Sequence, residues 1–137
     1  MVTVDRISDP AQLPALVQVW DEMIDESSPG AVFRSSTWLL PWWHRLSEGK
    51  ELATYVAREG GRVIGVLPAY SVRSAWGGRQ LRLLGDGTVA SDYLGVITHP
   101  EDLERAVQAV AQAVLGEQRD LFFDGVLADD PLVDVTT

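Results

Sequence analysis

The chain has 137 residues, 46% of them hydrophobic and 23% charged, the makeup of one globular domain long enough to bury a core. Its 20 acidic and 11 basic side chains give a net charge of -9, which argues against a nucleic-acid surface, whose affinity needs clustered Lys and Arg. The absence of cysteine excludes disulfides, thiolate zinc sites and a Cys nucleophile.

The acidity reads first as a solvated surface. No apolar run approaches the roughly 20 residues of a membrane span. The opening MVTVDRISDP lacks the basic-then-apolar order of a signal peptide, so a cytoplasmic protein is expected.

Val2–Ile7 alternates and predicts a short first strand. Asp9 then caps a helix that has Pro10 at its first position. Leu13, Leu16, Val17, Trp20, Met23 and Ile24 recur at the spacing of one buried helical face. Ser27-Ser28-Pro29-Gly30 ends it. The apolar, aromatic segment VFRSSTWLLPWWHRL (Val32–Leu46) follows, with Ser35 or Ser36 available as N-cap. Pro41 removes a backbone bond within it, so a kinked or two-piece helix is expected.

Leu52–Glu59 and Arg62–Tyr70 flank Gly60-Gly61, the signature of a tight hairpin. The second of these strands is nearly continuous in apolar residues and predicts a central position. Pro68 within it implies a bulge or loss of pairing on one side. Gly77-Gly78 mark a turn before the strand Gln80–Leu84, and GDGTVAS (Gly85–Ser91) leads to the strand Tyr93–Thr98. A helix from about Glu101 to Leu115 turns Leu103, Val107, Val110, Ala111 and Val114 to one face, and a strand Asp120–Val126 follows it. Residues 1–131 form a single domain in this reading, with 132–137 as a tail or the start of a linker. The order of elements predicts an α/β (α+β) fold, a mixed sheet with helices on both faces.

Candidate chemistry is sparse. His44 and His99 lack the spacing of a metal site and read as surface or capping residues, so no metal site is assigned. Ser91-Asp92-Tyr93 is open to two readings: an acid–base or amine-orienting group, or an Asx-type turn beside a half-buried Tyr. The second is the simpler. Gly85 and Gly87 echo a phosphate loop but precede a strand rather than a helix. Trp38, Trp42 and Trp43 read mainly as core. Trp42 and Trp43 are adjacent and so cannot share one helical direction; one is expected to pack inward while the other reaches a groove or partner.

The junction LGVITHPEDLERA (Leu94–Ala106) runs from a strand into a helix, a place where many α/β enzymes hold phosphates on glycine-rich backbone. Here no glycine lies between Val96 and Leu115. Pro100 has no N–H, and Glu101 and Asp102 occupy the first turn. Those carboxylates suit the helix dipole and oppose a pyrophosphate. The junction reads as closed.

The run F-x-S-x-x-W-L-x-x-W-W (from Phe33), RVIGVLPAY and L-L-G…S-D-Y-L, followed by a helix and DLFFDGV, resembles the N-terminal half of the CelD-type family. These are acetyltransferase-like proteins linked to bacterial cellulose and exopolysaccharide biosynthesis, and the resemblance reaches about Pro131. It implies a GNAT-like fold and a two-half architecture similar to the FemAB aminoacyltransferases, with acetyl-CoA or another acyl-CoA bound by the C-terminal half. It also implies that this chain forms the acceptor side of a cleft for acyl transfer to an amine, binds no cofactor and is inactive alone. Asp92 and Tyr93 are then the candidate catalytic residues, and Trp42 and Trp43 the candidate substrate wall. The implied partner is a C-terminal GNAT-like half or a second copy. The alternative is a non-catalytic GNAT-shaped interaction module. Neither reading names the acceptor.

Overall fold

The computed structural model describes residues 1–25, 27, 31–73, 78–84, 96–116 and 120–122. Strand β1 (Val2–Ile7) is followed by a 3-10 helix (Pro10–Leu16) that continues into α1 (Val17–Glu22). The Asp9 carboxylate accepts the Ala11 N–H at 3.0 Å and so caps the first turn. Next come α2 (Ala31–Arg34) and α3 (Ser36–Leu46). The helical segment is in two pieces, but the break lies at Ser35 rather than at Pro41. Ser35 is extended, and its side chain accepts the Trp38 N–H, starting a new helix. Pro41 sits inside α3, where it forfeits one backbone bond without ending the helix.

Strands β2 (Glu51–Leu52), β3 (Thr54–Glu59), β4 (Arg62–Leu67) and β5 (Ala69–Arg73) come next, then β6 (Arg79–Leu83). Gly60 and Gly61 join β3 to β4 with φ of 59° and 84°, the left-handed pair that a two-residue hairpin requires. The strands form two sheets, one ordered β1-β3-β4 and the other β2-β5-β6-β7, where β7 is Asp120–Phe122. Among the described residues, β6 and β7 alone run parallel. The chain passes between the sheets at Ala53 and at Pro68, which has no N–H to continue the ladder. This is the loss of pairing that the proline implied.

Leu84 N–H donates to Pro68 O at 3.0 Å, whereas Ile97 exchanges both backbone bonds with Val66. The two segments therefore lie along one continuous partner, β4–β5, although residues 85–95 separate them in sequence. Residues 54–57 of β3 and 64–67 of β4 are buried without alternation, so both faces of the first sheet are covered. Helix α4 (Leu103–Gly116) packs on β1, β3 and β4 and buries Ala106, Val107, Val110, Ala111 and Val114. The N-terminal helices contribute Leu13, Leu16, Trp20, Met23 and Leu39 to the same core. Trp20 is fully enclosed, and its indole N–H reaches Arg34 O at 2.8 Å, tying α1 to α2.

Candidate functional site

The strand-to-helix junction is built by Val96–Thr98, His99, a 3-10 turn (Pro100–Asp102) and α4. Thr98 Oγ1 donates to Ile64 O at 2.6 Å and fixes the strand end on β4. The amides that start a helix are the ones able to hold an anion. Pro100 has none. The Asp102 amide donates to His99 O at 3.0 Å, and the Leu103 amide donates to Pro100 O. The tight turn thus spends the Asp102 and Leu103 amides, two of the donors that an incoming phosphate would use.

Asp102 does more than add charge at this terminus. Its side chain is only 2% exposed. Arg62 Nη1 donates to Oδ2 at 3.2 Å and Nη2 to Oδ1 at 3.5 Å, while Arg105 Nη2 donates to Oδ1 at 2.5 Å. Arg105 also reaches Glu59 at 3.1 Å. The Arg62 hydrogen bond, with the charges of Arg62, Arg105 and His99, holds the Asp102 carboxyl below its ordinary range against the opposing effect of burial. The same bond raises Arg62. The carboxylate read from sequence as a partner of the helix dipole is an internal anion held by two guanidinium groups. Arg105, three residues on from Asp102, could have been found from helical spacing. Arg62 arrives through the β3–β4 hairpin from 40 residues away, and no local pattern announces it.

The second cluster lies between α3 and β5. Trp42 and Trp43 stand 5.6 Å and 6.3 Å from the Tyr70 ring, centre to centre, both tilted. Lys50 Nζ lies 5.7 Å from that ring and donates to Leu46 O at 2.6 Å, closing the C-terminal end of α3. Both tryptophans are buried, at 6% and 5% exposure, which corrects the expectation that only one would pack inward. Neighbouring positions diverge around the helix, but Tyr70 is broad enough to meet both. Each also borders a shallow groove: Trp42 with Trp38, Pro41 and Arg45, and Trp43 with Leu13, Pro14 and His44.

Asp92 and Tyr93 lie outside the described residues. Among the described residues there is no group of three or more His, Cys, Asp or Glu side chains able to hold a metal, and no helix is long and apolar enough to cross a membrane.

No protein-family model matches the sequence, and no curated protein matches it. Solved structures do match. An aminoglycoside acetyltransferase from an uncultured soil metagenomic sample is 15% identical, covering 98% of this chain and 88% of its own, with a TM-score of 0.54. A second such acetyltransferase, in complex with sisomicin, is 14% identical over 97% of this chain and 83% of its own, with a TM-score of 0.50. A transcriptional regulator from Bacillus halodurans is 14% identical over 94% of this chain and 83% of its own, with a TM-score of 0.51. Proteins so differently described share one scaffold, so the likeness speaks to fold. The chain has a GNAT-like α/β fold.

Proposed function

We propose that this chain is the acceptor-side, non-cofactor-binding half of a GNAT-type N-acyltransferase of the CelD kind, inactive alone and completed by a C-terminal half that carries the acyl-CoA grip. The observation that carries this reading is the start of α4. There Pro100 lacks a donor, the Asp102 and Leu103 amides are spent within the turn, and a buried Asp102 holds the local arginines. Acyl transfer to an amine needs a base for the amine and donors to polarise the thioester carbonyl. In this reading the acceptor wall falls to Trp42, Trp43 and the segment holding Asp92 and Tyr93. The donor side falls to the C-terminal half.

The absence of cysteine makes the test clean, because coenzyme A thiol released on acyl transfer is read against a protein with no thiol of its own. The chain alone, supplied with acetyl-CoA and a panel of amines including an aminoglycoside, is expected to release thiol at the protein-free rate. Amine-dependent release by the chain alone would overturn the division of labour.

A further inference from the structure

Acidic side chains outnumber basic ones 20 to 11 in this chain, yet arginines gather on one face of the second sheet. Arg73 of β5 and Arg79 of β6 stand opposite each other in the last pair of their ladder, and both are exposed. Directly opposed residues of an antiparallel ladder share a face, with Cβ atoms roughly 4.5–5.5 Å apart. Ser71 and Glu51 mark that face. Arg79 Nη1 donates to Ser71 Oγ at 3.4 Å and pairs with Glu51 Oε2 at 3.0 Å. The other Glu51 oxygen, Oε1, accepts from Arg6 Nη2 at 3.3 Å.

Arg73 has neither a hydrogen bond nor an ion pair among the described residues. Three guanidinium groups against the Glu51 carboxylate leave an excess of two positive charges at this place. Like charges directly opposite weaken a sheet. Glu51 does not relieve the pair, because its two oxygens are engaged by Arg6 and Arg79. The arrangement is a local cost that an anion lying between Arg73 and Arg79 would remove.

We propose that Arg73 and Arg79 form a binding site for a dianionic phosphoryl group, that of a small phosphomonoester. Such a group carries a charge of about -1.5 to -2 at neutral pH, which matches the local excess. Its three terminal oxygens accept from two planar guanidinium forks at once. Three arginines at one spot do not make the extended basic surface of a nucleic-acid binder. The site is also separate from the tryptophan wall. Tyr70, on which Trp42 and Trp43 pack, precedes Ser71 in β5 and so projects from the opposite face of the sheet. The inference therefore goes beyond the acyl-transfer reading and needs no acyl donor. Failure of the phosphoryl group to bind removes this site and leaves that reading standing, and the converse also holds.

The test is calorimetric titration of the full chain with phenyl phosphate, phenyl sulfate and benzoate at one low ionic strength. Phenyl phosphate is expected to bind saturably, and the two singly charged anions at least about fivefold more weakly. Arg73→Ala should weaken phenyl phosphate roughly tenfold, as loss of a hydrogen bond to a charged group implies. In chloride buffer the same variant should melt no lower than the parent, because it removes a like-charge contact. Inorganic phosphate at matched ionic strength should then raise the melting temperature of the parent and not that of the variant. No saturable binding of phenyl phosphate, equal binding of phenyl sulfate or benzoate, or undiminished binding by Arg73→Ala would overturn the proposal. So would an equal gain from phosphate in parent and variant. A variant that melts lower than the parent in chloride would also overturn it, by showing that Arg73 already has a partner.

Discussion

Asp102 is the residue whose role changes most between sequence and structure. Its place in the first turn of a helix is legible from the sequence, and so is its compatibility with the dipole. Its burial and its capture by Arg62 are not, because they depend on where a distant hairpin lands. The energetic consequence is open to measurement. A carboxylate held below its ordinary value of 3.8 stabilises the fold fully above that value. That stabilisation is lost as pH falls through the ordinary value and then through the lowered native one. Asp102→Asn removes the titrating group, so its melting temperature should lie below the parent's at neutral pH and fall less steeply on acidification. An acid slope equal to the parent's would show that Asp102 is not held by its arginines.

At the scale of elements, the contact between β4 and α4 sets how closely the helix approaches the sheet. A Cβ built on Gly65 would lie 2.8 Å from the Ala106 Cβ, closer than such atoms come in practice. The glycine is therefore an approach residue rather than a turn residue. Gly65→Ala is expected to cost about 1–3 kcal/mol by overpacking, measured by urea denaturation. In the Ala106→Gly background the same change should cost much less; additive losses would place the strain elsewhere.

The bounds of β1, the turn of the hairpin at Gly60-Gly61 and the place of α4 were legible because period, turn glycines and capping residues agree there. The break before α3 was half legible: Ser35 stood among the candidate N-caps, while the kink was expected at Pro41. Ser35 prevails by capping Trp38 and taking an extended backbone, while Pro41 loses only one bond in a helix held by its buried face. The twin burial of Trp42 and Trp43 was hidden for a different reason. It requires Tyr70 from β5, which enters from the far side of the core.

For the whole molecule, the two-sheet arrangement follows from Ala53 and Pro68, where paired strands leave one ladder and enter another. Pro68 was a visible clue, and the handover at Ala53 was not, since alanine carries no such constraint. The fold that results matches solved acetyltransferases over nearly the full chain, yet its α4 terminus is filled from within. The most direct test is calorimetric titration of the isolated chain with acetyl-CoA at low ionic strength. The account predicts no saturable heat up to about 1 mM, an affinity too weak to reflect a built site. A dissociation constant in the micromolar range would contradict it, because the start of α4 would then have to accept the pyrophosphate that Pro100 and Asp102 are held to exclude.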